Sequence, residues 1–243
     1  MRLFSNRTAK ILAAAAAALT LLVSPHTIFA QAYQCRIPQS VSVPKISPQA
    51  KPRRMPITGY TLAASWSPEF CKGREMESRH RTQCSGRNGR FGFVAHGLWP
   101  DGRGNWPQWC ATQRTVPPSE ARKNMCMMPS ARLIASQWRK HGSCMVRNPA
   151  TYFKVTRILW DSIRFPDADR LSRNDDLTAG MLRDAFQRAN PDWPRRAIGL
   201  DINRRGWLKE LRLCYGKDFK PSACDNRRFG PKDTRTIKIW RGL

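Results

Sequence analysis

Eight cysteines constrain this chain more than any other feature. They stand at positions 35, 71, 84, 110, 126, 144, 214 and 224, all downstream of an apolar N-terminal run. An even count behind an export leader argues for a disulfide framework. None falls in a C-x-x-C pattern, so no metal site is expected. About a hundred connectivities are open to eight cysteines. Cys71 with Cys84, and Cys214 with Cys224, are the easiest local pairs.

The leader itself has three parts. Arg2, Arg7 and Lys10 make a basic start, Ile11 to Val23 is apolar, and Ala30-Gln31-Ala32 fits a small-residue cleavage pattern. Residues 1–32 therefore read as a signal peptide, with a mature start near Tyr33. The apolar run is short for a bilayer span, and no later segment approaches one. The expectation is an exported monomer, periplasmic or secreted, with no membrane insertion of the mature chain. Residues 33–57 are rich in Pro, Ser and Gln and read as a loose arm. Residues 58–243 read as one domain, since a mature chain of 211 of the 243 residues lies in the single-domain range.

Charge narrows the partner. The chain carries +26, and losing the three basic leader residues leaves +23. Such a balance favours polyanions, with nucleic acid as the leading candidate. The basic residues are scattered, which suits a folded basic surface better than a tail.

Strand and helix signals alternate irregularly along the chain. Thr58 to Trp66 reads as a strand, and Phe91 to Leu98 as a buried strand stopped by a turn at Trp99-Pro100-Asp101-Gly102. Helices are predicted over Ser119–Met125, from an N-cap at Ser130, over Ala150–Arg164 and over Asp176–Ala189. Ile158 and Met181 count among their core candidates. Trp207–Tyr215 and Thr234–Trp240 read as late strands. The irregular mixture indicates an α+β fold.

Four histidines are present, and two stand out. His26 lies in the leader, and His80, in an arginine-rich loop, reads as a surface residue. His96 shares a strand face with Val94 and Leu98. His141 falls in the apolar stripe of Leu133, Ile134 and Trp138, with Gln137 one turn before it and Lys140 beside it. Gly142 reads as the stop of that helix. Two imidazoles in one cleft are what acid–base cleavage of RNA needs: one removes the 2′-hydroxyl proton, the other protonates the leaving 5′-oxygen. A neighbouring lysine keeps the base neutral and stabilises the phosphorane. No metal or other cofactor is required.

Two segments carry a family resemblance. H-G-L-W-P at His96–Pro100 and W-R-K-H-G-S-C at Trp138–Cys144 resemble the active-site segments of the ribonuclease T2 family, and L-K-E-L-R-L-C-Y at Leu208–Tyr215 resembles its late cysteine-bearing strand. M-P-S-x-x-L-I at Met128–Ile134 resembles the bacterial branch. The resemblance implies a central antiparallel sheet flanked by helices in a disulfide-stapled single domain. It implies His141 as general base, His96 as general acid and Lys140 as phosphorane stabiliser, with single-stranded RNA as substrate and a 2′,3′-cyclic phosphate as intermediate. It also implies that Trp99 and Asp101 stack on and hydrogen-bond a base beside the cleaved bond. A Cys110–Cys144 disulfide follows from it, which leaves Cys35 to Cys126. The family usually places His-Glu before the tryptophan, where this chain has Ser136-Gln137. Those two positions predict a weaker enzyme. The alternative they motivate is a weakly active or inactive cationic binder of RNA or other polyanions.

Overall fold

The computed structural model describes residues 35–242. The expected signal peptide and the mature start at Tyr33 lie outside the described residues. An antiparallel sheet of four strands organises the rest: β1 (Gly59–Trp66), β2 (Phe93–Asp101), β3 (Ile198–Ile202) and β4 (Leu208–Gly216), in the order β2-β1-β4-β3. One face is apolar. Leu62, Ala64 and Trp66 of β1, Phe93, Ala95 and Leu98 of β2, and Leu211 and Leu213 of β4 lie in the main core cluster. Helices Pro118–Asn124, Ala131–Gln137, Pro149–Asp161 and Ala179–Ala189 add Ile134, Tyr152, Phe153, Leu182 and Phe186 to the same cluster. The opposite face carries Thr61, Ser65, His96, Trp99, Asp101, Glu210 and Arg212, and that polar face is where the site is built. The fold is α+β and a single domain stapled by four disulfides, Cys35–Cys126, Cys71–Cys84, Cys110–Cys144 and Cys214–Cys224.

Side-chain caps mark the helix starts. Ser130, Asn148 and Thr178 each accept from the backbone N–H three residues on, at Leu133, Thr151 and Met181. Residues 35–57 form no helix or sheet strand and are tied by Cys35–Cys126 and by a bridge between Arg53 and Gln108. Among the described residues no helix is long and apolar enough to cross a bilayer.

Several expectations are corrected. β2 does not stop at Trp99 but runs to Asp101, with Pro100 opposite Tyr60. β2 is an edge strand, where the missing proline N–H costs no ladder bond. Thr234–Trp240 forms isolated bridges at Thr236 and Lys238 instead of a strand, although Ile237 and Ile239 are buried. The fourth strand is instead β3, Ile198–Ile202, which pairs with β4. Ile158 and Met181 are exposed, so they are not core residues. Gly142 does not end its helix: its φ of −60° and ψ of −36° are helical, and the chain continues helically to Met145. A glycine is needed there for packing, because a Cβ would come within 2.6 Å of the Trp138 ring and 2.7 Å of Tyr152.

Candidate active site

His96 owes its position to a β-bulge. Ala63 of β1 pairs with Gly97 and Ala64 pairs with Ala95, so His96 is the extra residue of β2. The bulge breaks the simple alternation. Leu98 joins Phe93 and Ala95 on the core face, whereas His96 is aimed away from it, which corrects the expectation that His96 and Leu98 share a face. The His96 side chain is 38% exposed.

His141 owes its position to a different irregularity. The Ala131–Gln137 helix passes into a five-residue π-helical stretch, Trp138–Gly142. The Ser143 N–H reaches back to the Trp138 carbonyl. Such wide turns interrupt the regular bonding and occur most often at functional sites. The Lys140 carbonyl accepts from the Trp109 N–H at 2.8 Å, and Arg139 donates to the Cys110 carbonyl at 2.8 Å. Cys110–Cys144 closes the same loop onto the helix. Trp109 has φ of 55°, a left-handed conformation that a non-glycine residue seldom takes without such anchoring. Tyr152 joins the two elements. Its hydroxyl donates to the Leu98 carbonyl at 3.0 Å and accepts from the Leu98 N–H at 3.2 Å, while its ring packs on Gly142.

The two imidazoles meet around one indole. The Trp99 ring centroid lies 5.1 Å from that of His96 and 5.7 Å from that of His141. Trp99 donates its indole N–H to Gln137 Oε1 at 2.8 Å. Gly97 makes that contact possible, since a Cβ there would lie 2.1 Å from Gln137 Oε1. His141 is 5% exposed, and its Nδ1 is buried without a hydrogen-bond partner among the described residues. Burial first, then the charges of Lys140, His96 and Arg228, holds its pKa well below the ordinary histidine value. Burial also draws Lys140 below the ordinary lysine value. The result is a neutral ring with cations for neighbours.

A carboxylate on β4 was not singled out by sequence. Glu210 Oε1 lies 2.6 Å from His96 Nδ1, and it also accepts from Ser65 Oγ at 3.0 Å. Burial opposes its ionisation and is the largest single influence. The His96 hydrogen bond and charge, then Arg212 and Ser65, outweigh it and leave the carboxyl below its ordinary range. Glu210 therefore orients the ring and leaves Nε2 as the nitrogen for substrate. The available signal was a lone acid on the polar face of an otherwise apolar strand.

The remaining candidates divide around His96. Ser136 lines a cavity of about 290 Å³ with His96, Ser65, Ser130, Arg132 and His80. His80 is thus not a plain surface residue: it is half-buried, edge-on to Phe70 at 5.0 Å. On the other side, a cavity of about 460 Å³ is lined by His96, Trp99, Glu210, Arg212 and Asn203. Asp101 lies at the end of β2 and accepts from Thr61 Oγ1 at 2.6 Å and from Arg228 Nη2 at 2.5 Å.

The chain is similar in sequence and fold to known ribonucleases. A probable ribonuclease of Haemophilus influenzae is 28% identical over 186 residues, covering 72% of this chain and 63% of that protein. A ribonuclease of Aeromonas hydrophila is 38% identical over 96 residues, covering 40% of this chain and 41% of the relative. The chain thus spans less than two thirds of the length of either. Among solved structures, trichomaglin, described as a novel S-like ribonuclease, superposes with a TM-score of 0.59 at 21% identity, over 75% of this chain and 97% of that one. That likeness speaks for the fold. Residues 58–173 match the ribonuclease T2 family, and it is to this family that the matched segment belongs.

Proposed function

We propose that this protein is a metal-independent endoribonuclease that cleaves single-stranded RNA by transphosphorylation through a 2′,3′-cyclic phosphate. The observation that carries the proposal is the pair of unlike imidazoles about Trp99. His141 is buried, neutral and short of a hydrogen-bond partner, which suits a base awaiting the 2′-hydroxyl proton. His96 is more exposed and backed by the Glu210 carboxylate, which suits an acid that delivers a proton to the leaving 5′-oxygen. Lys140 stabilises the charge that gathers on the phosphorane. The two cavities flanking His96 give room to the nucleotides on either side of the scissile phosphate. Trp99 offers a stacking face to one of their bases. Membership of the family and the fold support RNA as the substrate, and the basic charge supports its capture. Residues 58–243 form the catalytic domain of this reading. The disulfides, with the leader-like N-terminus, support export to the periplasm or beyond.

Gln137 favours a second reading. Its carbonyl oxygen holds the Trp99 indole, and as an amide it cannot exchange a proton with substrate. A cationic RNA binder on the same fold would follow if that loss were decisive. Digestion of defined RNA oligonucleotides with and without EDTA, with product ends identified, separates the two. Cyclic-phosphate ends in EDTA, intact DNA and an inert His141→Ala variant are expected. Full activity of His141→Ala, or salt-sensitive binding with no cyclic product over hours, would overturn the proposal.

A further inference from the structure

Asp101 is already engaged on both oxygens, by the Thr61 hydroxyl and by Arg228. Arg228 comes from the far end of the chain, on the turn of helix Asn226–Phe229. Its Nε also donates to Thr61 Oγ1 at 3.2 Å, and its guanidinium carbon lies 5.8 Å from the Trp99 ring and 5.9 Å from the Trp106 ring. The segment carrying it is firmly held. Cys214–Cys224 ties its approach, and the buried guanidinium of Arg183 donates to the carbonyls of Phe229 at 2.7 Å and Pro231 at 3.0 Å. Arg228 is therefore held in place beside Asp101 and the Trp99 ring. Among the described residues no acceptor takes its Nη1, and the side chain keeps 16% of its exposure.

We propose that Arg228 determines base specificity beside Trp99 and Asp101, and that the base selected is guanine. The proposal rests on the reading of Trp99 and Asp101 as base-holding residues. With both carboxylate oxygens engaged and its charge shared with Arg228, Asp101 offers an amino group such as adenine N6 only a weakened acceptor. The guanidinium instead presents N–H donors from Nη1 and the second hydrogen of Nη2. Guanine offers two adjacent acceptors, O6 and N7, at the spacing such a fork satisfies. Adenine offers N7 alone and sets its amino donor against the cation.

The test is a kcat/KM profile over the full set of dinucleoside phosphates for the wild type, Arg228→Ala and Arg228→Lys. The wild type should favour guanine over adenine at one of the two positions by about tenfold or more. Both variants should lose that preference. Arg228→Lys keeps a cation beside Asp101, so its loss reports the fork and not a failure to fold. Replacing guanosine by 7-deazaguanosine should reduce wild-type cleavage and leave Arg228→Ala unaffected. An unchanged base profile in Arg228→Ala overturns the proposal. So does an equal loss for all four bases, which would make Arg228 a phosphate contact. Binding of 3′-GMP and 3′-AMP, followed by tryptophan fluorescence, separates this inference from the ribonuclease reading. A wild type that cleaves nothing but binds 3′-GMP more tightly through Arg228 sinks only the latter. Equal affinity for both nucleotides sinks the inference.

Discussion

Lys140 and His141 are adjacent in one π turn, and the charge of the first helps set the protonation of the second. Burial and neighbouring cations hold His141 neutral at pH values where a free imidazole is already charged. Its base form should therefore persist below pH 6.5, and the acid limb of kcat/KM should lie on that side. Replacing Lys140 by Ala removes one depressing charge, so the His141 pKa rises and the limb moves to higher pH. The maximal rate should also fall, because the phosphorane loses its cation. A pH–rate profile of the two proteins checks both effects. A second expectation concerns Ser136 and Gln137. If their weaker chemistry limits the rate, Ser136→His with Gln137→Glu should raise kcat/KM by about tenfold or more. The burial of His141 was legible in sequence, since it sits in an apolar helical stripe, whereas His96 was marked on the right strand but on the wrong face. Glu210 and Arg228 were not legible. Each meets the site across more than a hundred residues, Glu210 against His96 and Arg228 against Asp101, and local periodicity says nothing about such encounters.

Two local irregularities place the candidate site, the bulge at His96 and the π turn at Trp138–Gly142. Regular periodicity predicts a plain strand and a plain helix there, and that is how the sequence reads. The irregularities come from tertiary partners: Gln137 and Trp99 meeting over Gly97, and Trp109 taking the Lys140 carbonyl. The same blindness explains the edge strand that continued through Pro100 and the C-terminal segment that bridged without becoming a strand. The Cys110–Cys144 disulfide clamps the loop that holds the π turn. Its removal by paired Ala substitutions should cost about 4 kcal/mol, given its 34-residue separation, and should also reduce kcat. Removal of Cys71–Cys84, whose loop lines the cavity beside His96 through His80 but does not hold the π turn, should lower stability and raise KM with a smaller effect on kcat. Denaturation curves and steady-state rates on the two variants make the comparison.

Net charge is a property of the whole chain, but only part of it can attract RNA. Arg183 is fully buried and consumed by the carbonyls of Ile198, Phe229 and Pro231 and by Asp233. Arg157 is held by Glu120 and Asn124. These cations serve the fold, and composition counts them with the rest. Arg132 is different: it is exposed and lines the cavity beside His96 and Ser136. Affinity for single-stranded RNA should fall linearly in log–log form with salt, with a slope of about −0.7 per phosphate neutralised. On an inactive His141→Ala background, Arg132→Ala should make that slope shallower by about 0.7 without changing the melting temperature. Arg157→Ala should do the reverse, lowering the melting temperature while leaving the slope intact, because the Glu120 carboxylate left behind is buried with only the Asn124 amide and no cation to meet its charge. Titrations at several salt concentrations, with thermal melts of the same proteins, decide whether the surface of this molecule divides in that way.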